Sequence, residues 1–86
     1  MPRFEIAMLE LDGQVQRESV VSEPDDAAAH ERAIREVRQL VAAMALEGVI
    51  DLSGRVEVRD QEGNLVSSTA LREAFDVLPG VSEDDG

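Results

Sequence analysis

SEPDDAAAHERAIREVRQLVAAMALEG, residues 22–48, is the longest stretch of the chain with one unbroken periodicity. Ala33, Ile34, Val37, Leu40, Val41 and Met44 recur at spacings of three and four, which places them on one face of an α-helix. Opposite them fall Glu31, Arg32, Arg35, Glu36, Arg38 and Gln39, and Glu31 with Arg35 is a favourable i,i+4 pair. The spacing predicts a helix from Asp25 to about Glu47. Ser22 can cap it, Asp25 stands three residues on as in a capping box, Pro24 is tolerated in a first turn, and Gly48 is a C′ glycine.

On either side of this helix the period changes to two. In residues 3–11, Phe4, Ile6 and Met8 alternate with Glu5 and Ala7, and Leu9 and Leu11 continue along the face that carries Ala7. Asp12-Gly13 predicts a two-residue hairpin turn. That pairing sets Phe4 across from Val21 but Met8 across from Arg17, so a bulge or an early end to the return strand is expected. After the helix, VIDLSG is an apolar link into a second hairpin, with Val56 and Val58 alternating against Arg55, Glu57 and Arg59, and with Leu65 and Val66 beginning the return. Leu71, Phe75 and Leu78 stand at helical spacing in STALREAFDVL, predicting a short terminal helix from residue 68, capped by Ser68 or Thr69. The expected fold is α+β: an antiparallel sheet of two hairpins packed on one long helix, β-β-α-β-β, with a short C-terminal helix. Residues 1–78 would form a single domain and residues 79–86 an acidic, disordered tail.

Composition narrows the function. Nineteen acidic residues against eight basic ones, all of them Arg, give a net charge of −11, which disfavours nucleic acid and anionic membranes as partners and permits a basic one. With no cysteine there is neither a disulfide nor a thiolate metal site, so a chain of 86 residues with a thin stability margin has oligomerisation as its remaining common reinforcement. The opening MPRFEIAMLEL lacks the long apolar run of a signal peptide or membrane span, and the expected location is cytoplasmic.

Few residues suggest chemistry. Asp60, Glu62 and Asn64 in DQEGN have the look of a calcium loop, but its glycine falls at position 4 and position 12 is Leu71, so the ligand pattern fails. Asp at the first and Gly at the fourth position of a type I turn explain the cluster instead. His30, the single histidine, falls on the apolar side of the helix with Asp26 at i−4; a core-edge histidine paired with a carboxylate or water is the simplest reading, with a pH-sensitive contact as the alternative. Glu57 and Arg59 are expected on a solvated strand face, and Glu83, Asp84 and Asp85 serve solubility. No nucleophile motif, phosphate loop or dinucleotide fingerprint occurs, so no catalytic, cofactor or metal residue is assigned and an enzyme is not expected.

What remains is a surplus of apolar side chains. One helix covers one face of a sheet, yet Ala7, Leu9 and Leu11 point to the other, and Ala42, Ala43 and Leu46 lie outside the helix's main stripe. Ala7, Leu9 and Leu11 are therefore candidate interface residues, for a second copy or an unidentified protein, unless the terminal helix folds back over them.

The opening MPRF, the acidic turn at LDG, the Ala-rich EPDDAAAHERAIREVRQLVAAMALEG and the hairpin DLSGRVEVRDQEGNLV together resemble a small bacterial domain-of-unknown-function family, over residues 1 to about 75. Members open M-P-R-[FY] and carry an acidic-Leu-Ser-Gly turn before a V-x-D-x-x-G hairpin. Glu5 and Ile6 here replace aromatics common in the family, and SSTALREAF replaces a Val-Pro-Phe-like ending. The resemblance implies the architecture and a bacterial cytoplasmic setting, and it carries no activity. The expectation is a non-enzymatic, self-associating or protein-binding module, a homodimer being the first candidate; the alternative is an acidic regulatory or antitoxin-like protein that neutralises a basic partner.

Overall fold

The computed structural model describes residues 1–75 of the chain. Four strands, β1 (Arg3–Leu9), β2 (Val15–Ser22), β3 (Arg55–Arg59) and β4 (Leu65–Ala70), form one antiparallel sheet in the order β2-β1-β3-β4. A single helix, α1 (Asp26–Glu47), crosses one face, and a 3₁₀ turn (Leu71–Ala74) follows β4. The expected β-β-α-β-β order is the order observed.

The core lies between α1 and the near face of the sheet. Phe4, Ile6 and Met8 of β1, Val21 of β2, and Val56 and Val58 of β3 point into it, as the alternation requires. From the helix come Ala29, Ala33 and Val37, all fully buried at a spacing of four, with Ile34, Leu40 and Val41 packed at the margin. The small residues Ala29 and Ala33 at the centre of the contact let the helix lie close to a sheet whose core has few large rings. Polar contacts fix the helix on both flanks. On the β2 side the Ser19 hydroxyl donates to Glu36 at 3.0 Å, and Arg32 bridges Glu23 at 3.0 Å and Glu36 at 3.3 Å. On the β4 side His30 Nδ1 lies 3.1 Å from Ser67 Oγ, and Arg38 Nε donates to the Ala74 carbonyl at 3.0 Å.

The helix stops where its sequence says, by a different cap at the start. Asp25 is the N-cap, its carboxylate accepting the Ala28 N–H at 2.8 Å, while Ser22 is the last residue of β2. Asp25 wins because Ser22 is already paired with Arg3 in the sheet. At the other end Gly48, at φ +90°, closes a Schellman motif: its N–H donates to Ala45 O at 3.1 Å and the Val49 N–H to Met44 O at 3.3 Å.

Both hairpins use the same three-residue loop. Gly13 N–H donates to Glu10 O and Glu10 N–H to Gln14 O, both at 2.8 Å; Gly63 to Asp60 and Asp60 to Asn64 repeat the pattern at 3.0 Å. Gly13 and Gly63 have φ of +88° and +85°, and no non-glycine among the described residues has a positive φ, so each loop is a type I turn closed by a left-handed glycine. The two-residue turn expected at Asp12-Gly13 is thus corrected: a primed turn needs positive φ at Asp12, which the extra residue avoids. The register is the expected one, with Phe4 across from Val21 and Met8 across from Arg17, and the bulge falls between Met8 and Leu9.

The terminal helix is the larger correction. Residues 65–70 are strand throughout, Ser68 pairing with Glu57 and Thr69 with Val56, and among the described residues the turn is confined to Leu71–Ala74, residues 76–78 of the expected helix lying outside them. Thr69 and Val66 suit a half-buried pleated surface, and pairing with β3 overrides the helical spacing of Leu71 and Phe75. Leu71 and Ala74 are buried in the same core as Val37. The tail at 79–86, and the domain boundary at residue 78, lie outside the described residues.

Candidate interaction surfaces

The sheet face turned away from α1 carries Arg3, Glu5, Ala7 and Leu9 of β1 together with Arg55, Glu57 and Arg59 of β3. Glu57 is its centre. Expected in solvent, it is only 9% exposed, with Oε2 3.1 Å from Arg55 Nη2 and Oε1 3.2 Å from Arg59 Nη2. The cause is position: β3 is an inner strand, so Ala7 of β1 and Ser68 of β4 flank Glu57, and the arginines two residues either side share its face. Alternation along one strand shows the face but not the neighbours. The acceptor oxygens of this carboxylate are directed at its own arginines, which makes it a structural clasp.

Ala7 and Leu9 are half-buried within this charged setting. Ala7 stands between Glu18 and Glu57, and Leu9 between Val15 and Arg55. They do not merge into an apolar patch. The 3₁₀ turn does not cover them either, since Leu71 and Ala74 pack on the helix side of the sheet. Leu11 is different. The strand has ended at Leu9, and Leu11 projects from the β1–β2 loop, 81% exposed.

Leu11 lies at the end of the molecule where α1 stops. It lines an open groove of about 440 Å³ with Met44, Leu71, Gly54, Ser53 and Asp51. Beyond Met44 the chain exposes Leu46 (91%), Val49 (72%) and Ile50 in succession. Here the helix has left the sheet: Ala42, Ala43 and Ala45 to Ile50 are all exposed, while the buried helix residues end at Val37. The result is an apolar end, formed by the overhanging last turns of α1, its Schellman exit and the β1–β2 loop. Its sequence signal was the run LEGVI, in which apolar residues continue past a helix stop with no polar partner stripe. Asp51 marks its rim. The Ser53 hydroxyl and N–H both bond its carboxylate, the latter at 3.0 Å, and hold that carboxyl below its ordinary value of 3.8.

The other residues with chemical promise are occupied structurally. Asp60 accepts the N–H groups of Glu62 at 3.0 Å and Asn64 at 2.9 Å, so the carboxylate organises its own loop. His30 is half-buried and its Nδ1 pairs with the Ser67 hydroxyl rather than with the Asp26 carboxylate at i−4. Among the described residues no group of three or more His, Asp or Glu side chains is placed to hold a metal ion, and no helix is long and apolar enough to cross a membrane.

These features define a small α+β domain with a charged sheet face and one apolar end. The family model "Domain of unknown function (DUF6894)" matches residues 4–72, so the chain belongs to that family. The matched span runs from the first core residue, Phe4, to just past Leu71, the residue that seals the core beneath α1. No curated protein and no solved structure matches the chain.

Proposed function

We propose that the protein is a non-enzymatic, bacterial cytoplasmic module that binds another protein through its apolar end. The observation that supports this is the run of exposed aliphatic side chains Leu46, Val49 and Ile50 where α1 ends, at the same end of the molecule as the exposed Leu11 and the groove it lines with Met44. Leaving several large aliphatic groups in water costs a small domain roughly 1.5–3 kcal/mol each relative to burial, and such concentrations on soluble domains mark interfaces. Of the expected interface residues this reading uses Leu11, while Ala7 and Leu9 lie on the charged sheet face. A photo-crosslinking amino acid at position 46, with one at the exposed Glu18 as control, tests the reading in the native cell. A discrete protein adduct from position 46 and none from position 18 supports it; equal labelling from both, or none from 46, overturns it.

A second reading draws on the opposite end. Asp25, Asp26, Asp60 and Glu62 rim an open groove of about 630 Å³ around Pro2 and Phe4. In a chain of net charge −11 this rim suits a basic partner, in the manner of a neutralising protein. Capture by this surface would weaken steeply with salt, whereas capture by the apolar end would not.

A further inference from the structure

We propose that the free edge of β4 pairs antiparallel with the β4 of a second copy of this chain, continuing the sheet across a two-fold axis. This interface is separate from the apolar end.

Among the described residues no strand pairs with the outer edge of β4. Leu71 N–H donates to the Gly54 carbonyl at 3.0 Å, and Thr69 and Ser67 lie opposite Val56 and Val58. In an antiparallel ladder, residues that exchange hydrogen bonds alternate with residues whose N–H and C=O point away. Counting back from Leu71, the N–H and C=O of Ser68 point away from β3. The edge is trimmed at both ends, by the Glu73 carboxylate on the Ala70 N–H at 3.2 Å and by a register shift beside Leu65. The open segment is therefore centred on Ser68.

Charge selects this edge and a self-partner. A chain of net charge −11 repels its own copies, so self-contact requires a surface free of acids. LVSSTA of β4 contains no charged residue, alone among the described strands. The other edge strand, β2, carries Arg17 and Glu18, and a two-fold pairing about its middle sets Glu18 against Glu18. Edges that proteins keep solitary bear such charges, and β4 does not.

The helix flank above β4 carries both signs of charge. His30 touches Ser67 and Arg38 touches Ala74, so the row His30, Ile34, Arg38 follows the β4 side of α1, and with Glu31 and Arg35 it lines a groove of about 470 Å³. Glu31 stands at one end, Arg38 at the other and Ile34 between them. A two-fold normal to the sheet at Ser68 reverses the second copy and sets the two flanks side by side as an isologous interface, where Arg35 and Arg38 offset part of the chain's negative charge. With so short a ladder the dimer is weak, with a dissociation constant on the order of 10–100 µM.

Light scattering over a concentration series tests this, with refractive index reporting concentration because the chain has no Trp or Tyr. The expected result is a mass that rises from monomer towards exactly two chains by about 500 µM. Ser68→Pro, which removes an outward N–H and spares the β3 ladder, should stay monomeric with an unchanged circular dichroism spectrum, while Leu46→Glu should dimerise like the wild type. Ser68→Glu, which sets like charges against each other at the axis, should also stay monomeric. If Ser68→Pro does not fold, Ser68→Glu decides alone. A mass that stays monomeric, a dimer indifferent to both Ser68→Pro and Ser68→Glu, or open-ended growth by β4 on β2 would each overturn the proposal.

Discussion

The α-carbon of Gly54 lies so close to the Leu9 carbonyl that no side chain fits between them. Gly54 has an ordinary backbone conformation, so the requirement is for space, and it ties the entry to β3 to the last residue of β1. Gly54→Ala forces backbone apart at a point that Leu71 also holds, and should cost about 2–3 kcal/mol. In a chain of this size that lowers the melting midpoint by about 10–20 °C. Gly63→Ala is the contrast: open space surrounds that site but its φ is +85°, so the loss should be only about 1–2 kcal/mol, and Gly63→Asn should recover part of it. Equal effects at the two glycines in thermal melts would contradict this.

Asp25 and Ser22 separate two accounts of the helix start. Asp25→Ala removes an acceptor 2.8 Å from the Ala28 N–H and should cost about 1 kcal/mol in urea unfolding. Ser22→Ala should change stability by less than about 0.5 kcal/mol, because its hydroxyl caps nothing among the described residues.

How far the sequence carried the fold can be seen at particular residues. The helix, both hairpins and the Phe4–Val21 register were legible because each rests on local periodicity and turn chemistry. The strand character of Ser67 to Ala70 was not, because Ser and Thr serve equally as helix caps and as strand residues, and only pairing with Val56 and Val58 decides between them. Leu11 was misplaced because alternation runs on past Leu9 into a loop whose start, at Glu10, is set by the three-residue turn. The burial of Glu57 needed the order of strands, which no single strand contains. The apolar end was half visible: Leu46 stood out from its helix stripe, but the approach of Leu11 to Met44 depends on where α1 leaves the sheet.

Glu57 makes a test of the clasp. Its two arginines are about half exposed, so the pairs are worth little individually, whereas the carboxylate itself is nearly enclosed. Glu57→Leu should therefore be within about 1 kcal/mol of the wild type, and Glu57→Lys, which gathers three cations on β3, should lose about 3 kcal/mol or more. Denaturant midpoints measure both; similar losses for the two would show that the charge pairs, rather than burial, dominate.

Asp51 gives a pH-dependent signal. The Ser53 bonds favour its charged form, so its folded pKa lies below the ordinary 3.8 and the folded state binds fewer protons than the unfolded one near that pH. Its stabilising contribution is complete above about pH 3.8 and is lost as pH falls through the lower folded value. Carboxyl carbon shifts followed by NMR should show a midpoint for Asp51 below 3.8 that rises in Ser53→Ala. A midpoint unmoved by that substitution contradicts the assignment.

Hydroxyl-radical footprinting of the dilute chain, read residue by residue by mass spectrometry, measures most directly whether one face of the sheet is core and one end of the molecule is bare. Leu11, Leu46 and Ile50 should label fast, and Phe4, Ile6 and Met8 should be protected despite the intrinsic reactivity of phenylalanine and methionine. Protection of Leu11 and Leu46 in the isolated chain, or rapid oxidation of Met8, would contradict the account.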